Sequence, residues 1–112
     1  MASVHKRMTA ERTAGLSAIA SALRQAVSAT VVADELDTFG DVQVALLSFE
    51  KYFFRTGSYA GLTVYLADDG AERLTARILG FGGGEGLLNI SWGANANFAA
   101  EAERILRGFG FR

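Results

Sequence analysis

The chain has 112 residues, half of them apolar, with eight Phe, three Tyr and one Trp, and 11 basic against 12 acidic side chains. This length and content suit one domain with a core of its own and exclude a disordered chain, which would be poor in aromatics and rich in net charge. The near-neutral balance offers no global field for nucleic acid or anionic membranes, and the lack of cysteine excludes disulfides, thiol catalysis and thiolate metal sites.

The start, Met1 to Arg7, carries charge but is followed by no apolar stretch of the kind a secretory signal needs. No apolar run approaches the ~20 residues of a membrane-spanning helix. The expectation is a soluble, cytoplasmic protein. Proline is absent, so turns must come from Gly, Asn, Asp and Ser.

Residues 3–8 read as a short strand with Val4, Lys6 and Met8 on one side. Thr9 is the expected N-cap of a helix over 11–28, with Glu11 in the first turn, where the macrodipole favours an acid. Leu16, Ile19, Ala20, Leu23 and Val27 recur at helical spacing and form one apolar stripe, opposite Arg12, Ser17, Ser21, Arg24 and Gln25. Thr30 to Ala33 lean towards strand. The acidic stretch Asp34-Glu35-Leu36-Asp37 reads as a solvated loop, and Gly40-Asp41 as a turn.

Residues 42–54 form a long strand in which Val42, Val44 and Leu46 alternate and Phe49 breaks the parity. A bulge near Leu47–Ser48 would restore it. After a turn at Gly57-Ser58, Leu62, Val64 and Leu66 alternate against Thr63, Tyr65 and Ala67. Asp68-Asp69-Gly70 has hairpin chemistry, and Leu74, Ala76 and Ile78 then alternate against Arg73, Thr75 and Arg77. Beyond the glycine run Gly80 to Gly86, Leu88, Ile90 and Trp92 alternate against Leu87, Asn89 and Ser91, which reads as a further strand. Asn95 then caps a last helix with the stripe Phe98, Ala102, Ile105, Leu106 and Phe109, ended by Gly108 and Gly110.

The order is therefore β-α-β-β-β-β-β-α. Short connections demand an antiparallel meander, and two helices with one apolar stripe each must cover one of its faces. The fold class is a two-layer α+β domain over residues 1–112. It is similar to helix-grip and TATA-binding-protein-like arrangements, in which a curved sheet wraps a helix. That likeness carries no function.

Five glycines stand between Gly80 and Gly86. Such a run can cradle an anion with backbone N–H groups, but a nucleotide loop would need a helix after it, and here an apolar strand pattern follows. Glu85 would also repel an anion. The run reads as a sheet device that lines a pocket mouth or a contact edge. The candidate ligand-binding residues are Gly82, Gly83, Gly84, Glu85, Asn89 and Trp92, together with Glu50 and Tyr52.

His5 is the sole histidine and lies in a terminal patch, His5-Lys6-Arg7, too small for a nucleic-acid footprint. Arg73 and Arg77 read as a solvent face. Asp34, Glu35, Asp37 and Asp41 lack the spacing of a calcium loop, so no metal site is expected. No catalytic residue and no cofactor is expected either. The segment Phe49-Glu50-Lys51-Tyr52-Phe53-Phe54 places large side chains on both faces of a strand. A homodimer through the open face of the sheet would explain it, as would core packing through a bulge, and the dimer is favoured.

Gly40-Asp41-Val42, Phe49-Glu50-Lys51-Tyr52, Leu74-Thr75-Ala76, and Gly82-Gly83-Gly84 leading to Asn89 and a capped helix at Phe98 occur together. In these segments, over about residues 40–98, the chain resembles a small uncharacterised bacterial family, a domain of unknown function. The resemblance implies a stand-alone bacterial cytoplasmic domain and transfers no catalytic or binding residue.

The leading expectation is a non-enzymatic domain that dimerises, binds a small apolar ligand between sheet and helices, or does both. One alternative is an enzyme using dispersed carboxylates such as Glu50 or Glu85 in a sheet cavity. Another is a nucleic-acid binder, suggested by the TATA-binding-protein-like architecture alone and opposed by the charge balance.

Overall fold

The computed structural model describes residues 4–54, 57–82 and 90–112, with the backbone alone for 90–96. Five strands form one antiparallel sheet: β1 (Val4–Glu11), β2 (Thr30–Phe39), β3 (Val42–Phe53), β4 (Ser58–Asp68) and β5 (Arg73–Gly82), in the spatial order β1-β5-β4-β3-β2. Helices α1 (Leu16–Ala26) and α2 (Ile90–Gly108) cover one face. The result is a two-layer α+β arrangement, with α2 over β1, β5 and β4 and α1 over β3 and β4.

Alternation chooses the covered face. Met8 on β1, Leu74, Ala76 and Ile78 on β5, Leu62, Val64 and Leu66 on β4, and Ala45, Leu47 and Phe49 on β3 are all buried. They meet Leu16, Ile19, Ala20 and Leu23 of α1 and Phe98, Ala99, Ala102 and Leu106 of α2 in one cluster. Each fully buried Leu, Ile or Phe side chain contributes ~1.5–3 kcal/mol through removal from water, so this face decides the register of every strand that carries it.

Local chemistry sets the connections. Gly40 and Asp41 alone join β2 to β3, and Gly40 has φ 63° as the first central residue of the tight turn. That is the type II′ geometry whose twist matches paired strands. Between β4 and β5, the Asp68 carboxylate accepts the Gly70 N–H at 2.9 Å, and Asp69 accepts the N–H groups of Ala71 and Arg73 at 2.7 and 3.1 Å. At the end of α2, the Gly110 N–H bonds to Arg107 O at 3.0 Å and the Phe111 N–H to Leu106 O at 3.2 Å. With Gly110 at φ 92° this is a Schellman cap, and it turns Phe111 into the core.

Several elements differ from the sequence-based expectations. Thr9 is no helix cap: it lies in β1 opposite Thr75. Its N–H bonds to Arg112 O and its C=O accepts the Arg112 N–H, both at 2.9 Å, so its backbone groups are committed to the C-terminal residue on the outer edge of β1. Helix α1 starts later, after Gly15, with no side-chain cap. The acidic stretch is no loop. Asp34, Glu35, Leu36 and Asp37 belong to β2 and oppose Leu47, Leu46, Ala45 and Val44. An edge strand accepts such charges because neither of its faces needs to be dry, and β2 is exposed along almost its whole length.

The parity of β3 is unbroken. Ala45, Leu47 and Phe49 point to the helices, while Val42, Val44 and Leu46 point to the open face, with Val42 and Leu46 exposed. The irregularity lies on the neighbouring strand, between Val31 and Ala33. The strand expected over 87–92 is also corrected, since Ile90, Ser91 and Trp92 open α2 and Asn95 lies within it rather than capping it. Residues 87–89 fall outside the described set. The described order is thus β-α-β-β-β-β-α, one strand fewer than expected. The apolar spacing of four in Ile90, Ala94, Phe98, Ala102 and Leu106 is helical, and it outweighs the short two-residue alternation.

Candidate functional site

The uncovered face of the sheet holds the candidate site. Cross-strand register sets its side chains in rows. One row runs Arg7, Arg77, Tyr65, Leu46, Glu35 from β1 to β2. The next towards the hairpin turn of β2 and β3 runs Thr9, Thr75, Ala67, Val44, Asp37. On the other side lie His5, Leu79, Thr63, Ser48, Ala33, then Phe81, Gly61, Glu50, Thr30, and finally the pair Tyr59 and Tyr52.

Apolar and aromatic side chains are exposed along the length of this face. Phe39, Val42, Leu46, Tyr52, Tyr59, Leu79 and Phe81 are all exposed, Phe39 by 66% and Tyr59 by 57%. Tyr52 packs edge-on against Tyr59 and Phe54, with centroids 5.0 and 5.3 Å apart. Phe81 covers the bare backbone of Gly61, where a Cβ would stand 2.5 Å from its ring. Ser48 Oγ and Thr63 Oγ1 satisfy each other at 3.1 Å. Two depressions flank this pair. One of about 310 Å³ is lined by Val32, Glu50, Tyr59, Gly61, Phe81 and Gly82, among others. The other, of about 340 Å³, is lined by His5, Thr63, Tyr65, Arg77 and Leu79.

Charge on the face is polarised. Arg7 and Arg77 oppose each other across β1 and β5, and neither makes an ion pair or side-chain hydrogen bond among the described residues. Glu35 and Asp37 occupy the far edge, on β2. Asp34, next to Glu35 in sequence but on the helix side, pairs with Arg24 of α1 at 3.0 Å.

The titration shifts fall elsewhere, on groups that fasten the layers. Arg12 donates to Asp68 through Nε at 2.7 Å and Nη2 at 2.5 Å, which ties the β1–α1 connection to the β4–β5 turn. These bonds, helped by the Gly70 N–H, hold the Asp68 carboxyl below the usual carboxylate range against the opposing effect of burial. The same bonds raise Arg12. Glu103 is lowered by Lys6, which donates at 2.8 Å, and then by Arg107.

Of the candidates named from sequence, Glu50 and Gly82 line the same depression, and Tyr52 stands beside it against Tyr59. Gly83, Gly84, Glu85 and Asn89 lie outside the described residues. Trp92 belongs to α2 rather than to the sheet. Sequence reading missed Val32, Tyr59, Gly61 and Phe81. The odd positions of β4 could have given Tyr59 and Gly61, since Leu62, Val64 and Leu66 fix the even ones as core. The depressions described here open on the uncovered face, whereas described residues between sheet and helices form one buried cluster.

Among the described residues no group of three His, Asp or Glu is placed to hold a metal ion, and no helix is long and apolar enough to cross a membrane. No curated protein and no solved structure matches the chain. A family of unknown function, DUF6054, matches residues 1–110, and the chain belongs to that family.

Proposed function

We propose that the protein is a non-enzymatic, self-associating domain whose interface is the uncovered face of the sheet. The observation that carries this reading is the set of exposed apolar and aromatic side chains on that face, from Phe39 and Leu46 to Tyr59 and Phe81. An exposed apolar patch rimmed by charge marks an interaction surface, and tyrosine and phenylalanine are the side chains that interfaces favour. Five strands at ~4.8 Å spacing and ~10 residues at ~3.3 Å give a face of ~800 Å², which is the share each partner contributes to a standard stable interface. A concentration series in sedimentation equilibrium tests this. A reversible monomer–dimer equilibrium that Leu46→Lys abolishes supports it, and a wild-type chain that stays monomeric throughout contradicts it.

A second reading is a small apolar ligand in the depression between Phe81, Tyr59 and Glu50. Its volume of about 310 Å³ lies at the lower end of ligand-sized clefts. Thermal shift with medium-chain fatty acids tests it: stabilisation lost in Phe81→Ala supports binding there, and no shift with any chain length counts against it.

A further inference from the structure

We infer that two copies pair about a two-fold axis that runs along the strands above β4, so that the basic side of one face lies on the acidic edge of the other. This rests on the self-association reading above and adds the partner's orientation to it.

β4 is the middle strand of five. Two sheets placed face to face by a two-fold axis have two simple choices. An axis along the strands sets β1 over the partner's β2 and β5 over its β3. An axis across the strands sets each strand over its own copy. The charges distinguish the two. Arg7 and Arg77 occupy the β1–β5 side, Glu35 lies on β2 in the same row, and Asp37 lies on β2 one row nearer the β2–β3 turn. With the axis along the strands, Arg7 falls opposite Glu35 of the other copy, Thr9 opposite Asp37, and Tyr65 lies near the axis against its own counterpart. With the axis across the strands, arginine faces arginine and acid faces acid, which opposes association. The first arrangement also suits the roughly 30° angle at which twisted sheets stack in aligned packing.

The isolated chain supplies an independent reason. Arg7 and Arg77 are like charges directly opposite each other on paired strands, an arrangement that costs stability, and no acid in the described chain offsets it. Glu11 does stand opposite Arg73 in the same ladder, so the sheet balances one arginine and leaves two unbalanced. Asp34 is satisfied by Arg24 on the helix side, whereas Glu35 and Asp37 on the open side have no partner among the described residues. Arg7 and Arg77 and the acids Glu35 and Asp37 thus share one face and lie towards opposite edges of it.

The test is sedimentation equilibrium of the full chain and three variants, with circular dichroism to check that each is folded. The neutral variant Arg7→Gln/Arg77→Gln should weaken the dimer by about tenfold, the scale expected of the two symmetry-related Arg7–Glu35 pairs. The reversal Arg7→Glu/Arg77→Glu should weaken it further. Adding Glu35→Arg/Asp37→Arg to that reversal should restore association, because polarity is exchanged but complementarity is kept. A dimeric wild type whose neutral variant associates equally well or more tightly overturns the inferred axis and leaves self-association standing. A wild type that never dimerises overturns both.

Discussion

The far edge of the Phe81 ring lies over Gly61 on the adjacent strand, in the space a side chain at that position would need. A Cβ on Gly61 would stand 2.5 Å from Cζ and 2.7 Å from Cε2 of the ring. The two residues are direct cross-strand partners, so an aromatic supplies the cover that glycine cannot give its own backbone. Gly61→Ala should push the ring off its seat. Phe81 is already partly exposed and has room to swing, so the cost to fold stability should stay within about 1 kcal/mol, the range of cross-strand pair effects. Nuclear Overhauser contacts between the Phe81 ring and the Gly61 α-protons report the seat in the wild type. A Gly61→Ala chain that keeps the ring over residue 61 would show the fit is not steric.

Leu46 and Leu47 are sequence neighbours on opposite faces of β3. Leu47 is fully buried and Leu46 is exposed. Leu47→Ala should cost about 2–5 kcal/mol, the range for leucine truncation in a packed core. Leu46→Ala should change the stability of the dilute chain by less than about 0.5 kcal/mol, as surface substitutions do, while weakening self-association. Urea melts of both variants at low concentration check the contrast, and equal losses would place Leu46 in the core.

Asp68 makes acid stability a structural readout. Arg12 and the Gly70 N–H hold its folded pKa below the unfolded value. A depressed carboxylate contributes stability above its unfolded pKa and loses that contribution as pH falls through the folded one. Glu103, lowered by Lys6 and Arg107, acts in the same sense. The melting temperature should therefore fall as pH drops below about 4, where free carboxylates begin to protonate. Asp68→Asn should flatten that fall and cost about 1–2 kcal/mol at neutral pH through lost charge-assisted hydrogen bonds. An unchanged acid profile in Asp68→Asn would show that the Arg12 staple does not govern it.

The C-terminal turn should behave as part of the core. Phe111 is almost fully buried, and Phe111→Ala should cost about 3–5 kcal/mol. Gly110 has φ 92°, and Gly110→Ala should cost about 1 kcal/mol because a Cβ disfavours left-handed backbone. Thermal denaturation of the two variants measures both, and a Phe111→Ala chain as stable as wild type would rule out this anchoring role.

The strand segments that alternate apolar with polar side chains are legible in the sequence, and those apolar or polar on both faces are not. β4 and β5 alternate strictly, so Leu62, Val64 and Leu66 and then Leu74, Ala76 and Ile78 were assigned to the core as observed. β3 carries apolar residues on both faces, so Val42, Val44 and Leu46 looked like core and Phe49 like an exception. The same feature that spoiled the parity, a greasy open face, is what marks the candidate site. The acidic part of β2, Asp34 to Asp37, reads as loop because edge strands accept acids, and the pairing that makes it a strand comes from the Gly40 turn and from β3. Glu50 and Gly82 were named from sequence and line one depression. The charge polarity across Arg7, Arg77, Glu35 and Asp37 depends on strand order and register, which no single segment encodes.

Sedimentation equilibrium on the wild-type chain beside Leu46→Lys tests the central claim most directly. Self-association through the open face predicts a wild-type mass that rises with concentration towards twice the chain's 11.9 kDa, while Leu46→Lys stays at the monomer mass with an unchanged circular dichroism spectrum. A wild-type chain that remains at the monomer mass up to its solubility limit would contradict it.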